Sequence, residues 1–175
     1  RRIEVVAYCA AWPSSFAAEK DLIENSIPIG DMQIYHIGST AVPMLAAKPV
    51  IDILLVTDDV SKLDDCAGAF EKINYTCKGE FGIPGRRYYQ KGGHLRSHQI
   101  HAFSGGAERV TKFLAFKHYL INHPEIATEY AALKIAAAFN CAHDINKYSQ
   151  LKQEFIAHHE PLAIAWYQPK TGVSP

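Results

Sequence analysis

The sequence has no excess of charge of one sign. Its 175 residues include 18 Lys and Arg and 18 Asp and Glu, so the formal net charge is zero. Proteins that bind nucleic acid or an anionic membrane surface usually carry a clear excess of basic residues. We therefore expect neither a nucleic-acid partner nor a membrane partner, although a balanced total leaves room for one local basic site.

Long apolar runs and paired cysteines are also missing. No stretch reaches the roughly 20 apolar residues that cross a bilayer. The four cysteines, Cys9, Cys66, Cys77 and Cys141, form no C-x-x-C pair of the kind that holds zinc. Widely separated cysteines are typical of a reducing compartment, and the first residues lack the apolar core of a signal peptide. The sequence predicts a soluble, cytoplasmic protein.

What the sequence does contain is 48% hydrophobic residues in patterns typical of strands first and helices later. Strands are predicted at 3–8, 32–37, 50–56, 75–80, 87–91 and 97–103, the last two as an antiparallel hairpin. Helical segments are predicted at 13–27, 43–47, 58–74, before Pro124, at 124–139 and at 145–166. This order indicates an α+β fold, with helices packed on one side of a mixed β-sheet and a helical C-terminal portion. We expect a single domain over 1–167 and a frayed tail at 168–175.

A short turn of Gly38, Ser39 and Thr40 stands just ahead of an apolar strand that contains one acid, Asp52. Such a turn can offer backbone N–H groups to a phosphate, or it can simply cap a short helix. Lys48 would add a positive charge there, unless it is a solvated loop residue. Because an unpaired carboxylate in an apolar strand is costly, Asp52 is either a structural acid with a partner, or a metal ligand or general base.

Further basic residues could reach the same cleft. Arg86 and Arg87 follow a glycine-rich turn, and a guanidinium matches the geometry of phosphate. The alternative is a surface charge and a salt bridge, for example to Glu80. Tyr148 and Lys152 are four residues apart on a predicted helix and so share one face. They either touch a ligand or form a packed tyrosine beside a solvated lysine.

Histidines are frequent, with nine in the chain. His36 precedes the turn, and His98 and His101 lie on a strand predicted to run near Asp52. A His/Asp cluster can hold a divalent metal or serve as acid–base machinery, which makes Asp52 and His101 candidates for both roles. Their spacing is not a recognised zinc pattern, so metal binding ranks below anion binding.

Several segments together closely resemble the GrpB-like family over about residues 3–156. They are His36–Pro43, Ala47–Ile53, Gly82–Tyr89, His98–His101, Leu114–Pro124, Tyr130–Lys134 and Tyr148–Ile156. The family is similar in fold to the nucleotidyltransferase superfamily, whose motif is a Gly-Ser turn followed by a strand with two acids at alternate positions. Those acids hold metal ions on a nucleoside triphosphate.

The resemblance implies a nucleotidyltransferase-like fold and a nucleotide or other phosphate ligand. The phosphate site would include His36, Gly38, Ser39, Thr40, Lys48, Arg86, Arg87, Tyr148 and Lys152. Asp52 matches the first acid, but Leu54 stands where the second acid would share its face of the strand. One reading is therefore nucleotidyl transfer with a divalent cation such as Mg²⁺. The alternatives are a non-catalytic module for a nucleotide or CoA-like ligand, which Leu54 favours, and a metal-dependent hydrolase that uses the histidines and Asp52.

Overall fold

The computed structural model describes residues 4–140 and 144–168. Its five strands are β1 (Gln33–Ile37), β2 (Ile51–Thr57), β3 (Tyr75–Cys77), β4 (Arg87–Lys91) and β5 (His98–Ser104). Its five α-helices are α1 (Trp12–Ser26), α2 (Ala67–Lys72), α3 (Glu108–Asn122), α4 (Pro124–Asn140) and α5 (Ile145–Tyr167).

The five strands form one mixed sheet in the order β1-β2-β5-β4-β3. The central pair, β2 and β5, is parallel, and the other neighbouring strands are antiparallel. The predicted hairpin of β4 and β5 is present. The predicted α+β class, with its mixed sheet and helical C-terminal portion, is confirmed.

Helices cover both faces of the sheet, so the prediction that they pack on one side is wrong. On one face Ile53, Leu55 and Ile100 pack in a core with α1 and α2. On the other face Leu54, Val56 and Phe103 pack against α3, which belongs to the C-terminal helical portion. Because both faces of β2 are covered, the strand is an almost continuous apolar run, as is usual for a strand in a parallel pair.

Two predicted segments differ in the structure near the turn after β1. The helical turn predicted at 43–47 is absent, and a short 3₁₀ helix lies instead at Ser39–Ala41. Met44 has a φ of +69°, which a right-handed helical turn does not allow. The predicted strand at 3–8 is reduced, over its described residues, to a single bridge between Val6 and Ala47.

The segment predicted as one helix at 58–74 is divided. It begins as a 3₁₀ helix, Val60–Cys66, and continues as α2. The Asp59 carboxylate accepts a hydrogen bond from the Ser61 amide at 3.0 Å, a local bond that competes with regular α-helix. The strand predicted at 75–80 ends at Cys77, because Gly79 takes a φ of +61° and turns the chain.

The long C-terminal helix begins where its sequence predicts. The Asp144 carboxylate accepts hydrogen bonds from the amides of Asn146 and Lys147, at 3.0 and 3.3 Å, and so caps α5. Apart from Gln168, the predicted frayed tail lies outside the described residues. Across the described ranges, we find no helix whose length and apolar character would let it cross a membrane.

Candidate functional site

The turn after β1 and the acid of β2 meet because of the strand register. Ile37, the last residue of β1, pairs with Asp52 on β2, so Gly38 lies beside the Asp52 side chain. Gly38 has a φ of +76°, and a Cβ atom there would lie 2.7 Å from Asp52 Oδ2. Only glycine allows both the left-handed backbone and this close approach. Gly38 therefore allows the Asp52 carboxylate to pack directly against the turn.

Asp52 is also held from the neighbouring strand. Gln99 on β5 pairs with Asp52 in the parallel register. In the amide orientation that satisfies its neighbours, Gln99 donates to Asp52 Oδ1 at 3.2 Å and accepts from Arg96 at 3.3 Å. The Asp52 side chain remains 31% exposed. The acid is thus oriented by protein groups yet accessible from the cleft.

His101 lies on the same face of the sheet as Asp52, and Arg86 determines which ring nitrogen of His101 carries the proton. Arg86 Nη1 lies 3.3 Å from His101 Nδ1, and since a guanidinium can only donate, Nδ1 must accept. Neutral His101 therefore carries its proton on Nε2, which lies 3.5 Å from Asp52 Oδ1. In this arrangement His101 presents an N–H to Asp52, and its lone pair is used by Arg86.

His36 and Thr40 support the turn from the opposite face of the sheet. His36 Nε2 lies 2.9 Å from the Thr40 hydroxyl, and its ring stacks on Phe16 of α1 at 4.8 Å between ring centroids. Burial, together with the charge of Lys117, lowers the pKa of His36 to about 4. His36 is therefore neutral at physiological pH and acts as a structural partner of Thr40.

A cavity of about 110 Å³ opens next to Asp52. Its charged lining consists of Asp52 and three lysines, Lys48, Lys134 and Lys152. Its other polar lining residues are Ser39, Thr40, Gln99 and Tyr148. We call this space the lysine cavity. Three lysines around one carboxylate favour a positive potential here, although the chain as a whole is neutral.

Lys134 is the most unusual residue of the lysine cavity. It is only 1% exposed, and among the described residues its Nζ has no hydrogen-bond partner. Its described contact is with the Tyr130 ring, 4.5 Å from Nζ to the centroid. Burial, with the charges of Lys152 and Lys48, lowers the pKa of Lys134 to about 7.

Tyr148 is a second buried polar residue of the lysine cavity. It is 1% exposed, and its hydroxyl also lacks a hydrogen-bond partner within the described ranges. Lys48 Nζ and Lys152 Nζ each lie 5.5 Å from the centre of its ring. Burial raises the pKa of Tyr148 to about 12, so its hydroxyl keeps its proton. Two buried polar groups that lack a hydrogen-bond partner in the described part of the chain thus border one cavity.

The structure brings most of the predicted site residues together. Gly38 lies against Asp52, and Ser39, Thr40, Lys48, Tyr148 and Lys152 line the lysine cavity with it. Arg86 is 7% exposed and reaches this sheet face through His101. The structure does not bring Arg87 there. Arg87 points to the other face and pairs with Asp64, at 2.7 Å from Nε to Oδ1.

Sequence reasoning did not place Lys134 and Gln99 in the site. A signal for Lys134 exists: Tyr130 and Lys134 repeat on α4 the spacing of Tyr148 and Lys152 on α5. In both pairs the lysine Nζ lies over the tyrosine ring.

The metal prediction rests on few ligands. Within the described ranges, no group of three or more His, Cys, Asp or Glu side chains is arranged to hold a metal ion. Leu54, in the place of a second acid, is completely buried in the core.

The mixed sheet with its C-terminal helices has a nucleotidyltransferase-like fold, since it superposes on structures of Cid1. A structure of Cid1 in complex with its short product ApU superposes with a TM-score of 0.51 and 12% identity, covering 74% of this chain and 42% of that chain. The Cid1 poly(U) polymerase with MgGTP bound gives the same TM-score, 0.51, at 15% identity. Structural similarity at this level of sequence identity shows a shared fold only.

The chain belongs to the GrpB family, since the family described as GrpB protein matches residues 2–161. The crystal structure of the conserved protein GrpB from Enterococcus faecalis superposes with a TM-score of 0.90 and 37% identity, over 94% of this chain and 99% of that one. The UPF0157 protein YqkA of Bacillus subtilis (strain 168) is 39% identical over 99% of this chain. A UPF0157 protein of Pseudomonas aeruginosa is 36% identical over 94% of it. The chain spans 51% of the length of the Bacillus relative and 69% of the Pseudomonas relative.

Proposed function

We propose that the lysine cavity binds the phosphate group of a small-molecule ligand such as a nucleotide. The observation that carries this proposal is Lys134, a fully buried amine that lacks a hydrogen-bond partner among the described residues. Buried polar groups are nearly always hydrogen-bonded, and an exception calls for an explanation. A bound anion gives Lys134 that partner.

The chemistry of the lining fits an anion. Lys48, Lys134 and Lys152 can each donate up to three hydrogen bonds as ammonium groups, and the Tyr148 hydroxyl adds another donor. Burial lowers the pKa of Lys134, and the charges of Lys152 and Lys48 lower it further, so these amines are unfavourable as cations without an anion. Phosphate, which is compact and carries several acceptor oxygens, matches a small cavity with several converging donors.

Asp52 sets a limit on the reaction that can occur here. A carboxylate repels a phosphate unless a cation lies between them. One divalent cation, such as Mg²⁺, could bridge Asp52 and a ligand phosphate, because Asp52 is partly exposed toward the cavity. A two-metal centre does not fit, since Leu54 and His101 offer no second carboxylate and His101 Nδ1 is engaged by Arg86.

We therefore favour ligand binding over nucleotidyl transfer. Transfer is the second candidate, because Asp52 matches the first acid of the superfamily's sequence motif and the fold resembles that of the Cid1 poly(U) polymerase. A metal-dependent hydrolase is less favoured, since Nε2 of His101 faces Asp52 and its Nδ1 lone pair is engaged by Arg86.

Calorimetric titration with inorganic phosphate, pyrophosphate, nucleoside triphosphates and CoA derivatives, with and without Mg²⁺, tests the proposal. A ligand at 100 times its dissociation constant should also stabilise the protein by about 2.7 kcal/mol. We expect Lys134→Met to lower phosphate affinity at least ten-fold. Lys147→Met, which changes an exposed lysine on α5, is the matched control and should leave affinity unchanged.

Asp52→Asn separates the two candidates. If a cation bridges Asp52 and phosphate, the variant should lose the Mg²⁺-dependent part of the affinity while keeping the rest. Release of pyrophosphate from a nucleoside triphosphate, with the nucleotidyl group recovered on an acceptor other than water and with dependence on both Mg²⁺ and Asp52, would establish transfer. Equal phosphate affinity in the wild type and in Lys134→Met would refute the proposed site.

A further inference from the structure

A second cavity, of about 200 Å³, adjoins the lysine cavity. Ser39, Asp52 and Lys152 line both spaces. A ligand held by its phosphate in the lysine cavity can therefore extend past Asp52 into the second cavity without leaving the protein surface.

The second cavity differs chemically from the first. Its apolar lining comes mainly from Phe113, Phe116, Leu120 and Ile156, and it also includes the ring of Tyr130. Phe113 is fixed by contacts with the rings of His101 and Phe103, at 5.4 and 6.2 Å between centroids. The rings thus form a defined aromatic wall.

Polar groups stand at the edge of this wall. Lys117 lines the cavity, and burial lowers its pKa. Glu160 also lines it and lies 3.9 Å from Lys112. A purely hydrocarbon ligand would offer Lys117 and Glu160 no hydrogen-bond partner. A ring with nitrogen and oxygen atoms at its edge could hydrogen-bond to both. Pockets with an apolar lining and a few placed polar groups are typical of small-molecule sites.

We propose that the second cavity binds a compact heteroaromatic ring joined to the phosphate, so that the ligand class is a nucleoside monophosphate or a similar ring-bearing phosphate ester. This inference builds on the proposed function, because the phosphate in the lysine cavity determines where the ring lies. Phe116 is the ring-contacting residue, and Asp52 lies beneath the link between phosphate and ring. The long flexible arm of a CoA-type ligand fits this small, ring-lined space less well.

The test compares three ligands that share a phosphate: inorganic phosphate, ribose 5-phosphate and a set of nucleoside monophosphates. Base–aromatic stacking implies that the nucleotides bind on the order of ten-fold more tightly than ribose 5-phosphate. Phe116→Ala should remove that advantage and leave the affinity for inorganic phosphate unchanged. Lys134→Met should weaken all three ligands.

A second measurement does not depend on a variant folding. Magnetisation transfer in NMR should connect the ring protons of the bound nucleotide with aromatic protons of Phe113 and Phe116.

A further variant, Ile156→Trp, fills the cavity from α5. It should block the binding of nucleotides and still admit inorganic phosphate.

The outcomes separate the two proposals. If nucleotides and ribose 5-phosphate bind equally, with no transfer to the phenylalanines, the ring site is refuted while phosphate binding stands. If inorganic phosphate fails to bind but nucleotides bind in a Phe116-dependent way, the ring site stands and the phosphate site is wrong. If no ligand binds, both proposals are overturned.

Discussion

Replacing Lys134 by methionine should make the protein more stable near neutral pH. Lys134 is 1% exposed, and its pKa is lowered from 10.5 to about 7, first by burial and then by Lys152 and Lys48. One pKa unit corresponds to about 1.4 kcal/mol, so keeping the ammonium buried costs roughly 5 kcal/mol at most. Methionine keeps most of the aliphatic stem and removes the charge.

Part of that gain is offset. Lys134 Nζ lies 4.5 Å from the Tyr130 ring centre, a cation–π contact worth about 1–2 kcal/mol. We therefore expect Lys134→Met to stabilise the unliganded protein by about 3 kcal/mol at pH 6. For a chain of this size that corresponds to a rise in melting temperature of roughly 6–12 °C.

The pH dependence identifies the cause. Between pH 7 and 10.5 the unfolded chain holds the Lys134 proton and the native state does not, so wild-type stability rises with pH in this window relative to Lys134→Met. The gain should be full below pH 7 and should vanish near pH 10.5. Urea denaturation at pH 6, 8 and 10, with Lys147→Met as control, measures it. A gain that is the same at pH 6 and pH 10, or a loss at pH 6, would refute the reasoning.

Three further predictions concern the groups around Asp52. Gly38→Ala should destabilise the protein by about 2 kcal/mol or more in urea denaturation, because it strains the left-handed backbone and places a methyl 2.7 Å from Asp52 Oδ2. Nitrogen-15 NMR should find His101 as the Nε2–H tautomer, and Arg86→Met should relax that preference; an Nδ1–H tautomer in the wild type would contradict the assignment. Arg87→Ala should cost less than about 1 kcal/mol and leave phosphate affinity unchanged, since its ion pair lies on the other face of the sheet; a marked loss of affinity would show that Arg87 reaches the cleft.

Local pattern was enough to predict much of the sheet. The apolar run at 50–56 became β2, and the hairpin at 87–91 and 97–103 became β4 and β5 nearly residue for residue. The sequence predicted both Arg86 and Arg87 in the phosphate site. In the structure Arg86 contacts His101, whereas Arg87 pairs with Asp64 on the other face of the sheet.

The site was harder to predict where it depends on packing between distant segments. Lys134 resembles any lysine on an alanine-rich helix, and its burial arises only when α4 and α5 pack and bring it beside Tyr148. Gln99 becomes a partner of Asp52 only through the parallel pairing of β2 and β5. The spacing of histidines likewise cannot show that Arg86 occupies the free nitrogen of His101. Each of these features is set by non-local contacts, which periodicity along the chain does not encode.

The parallel pairing at the centre of the sheet also bears on synthesis. β2 can pair with β5 only after the intervening segment has been made, and the third lysine of the cavity lies on α5, more than one hundred residues after Gly38. Pairing between segments so far apart in sequence is slow to form. A nascent chain halted on the ribosome before Lys152 has emerged should therefore be unable to retain the ligand, and ligand capture would report completion of this part of the polypeptide.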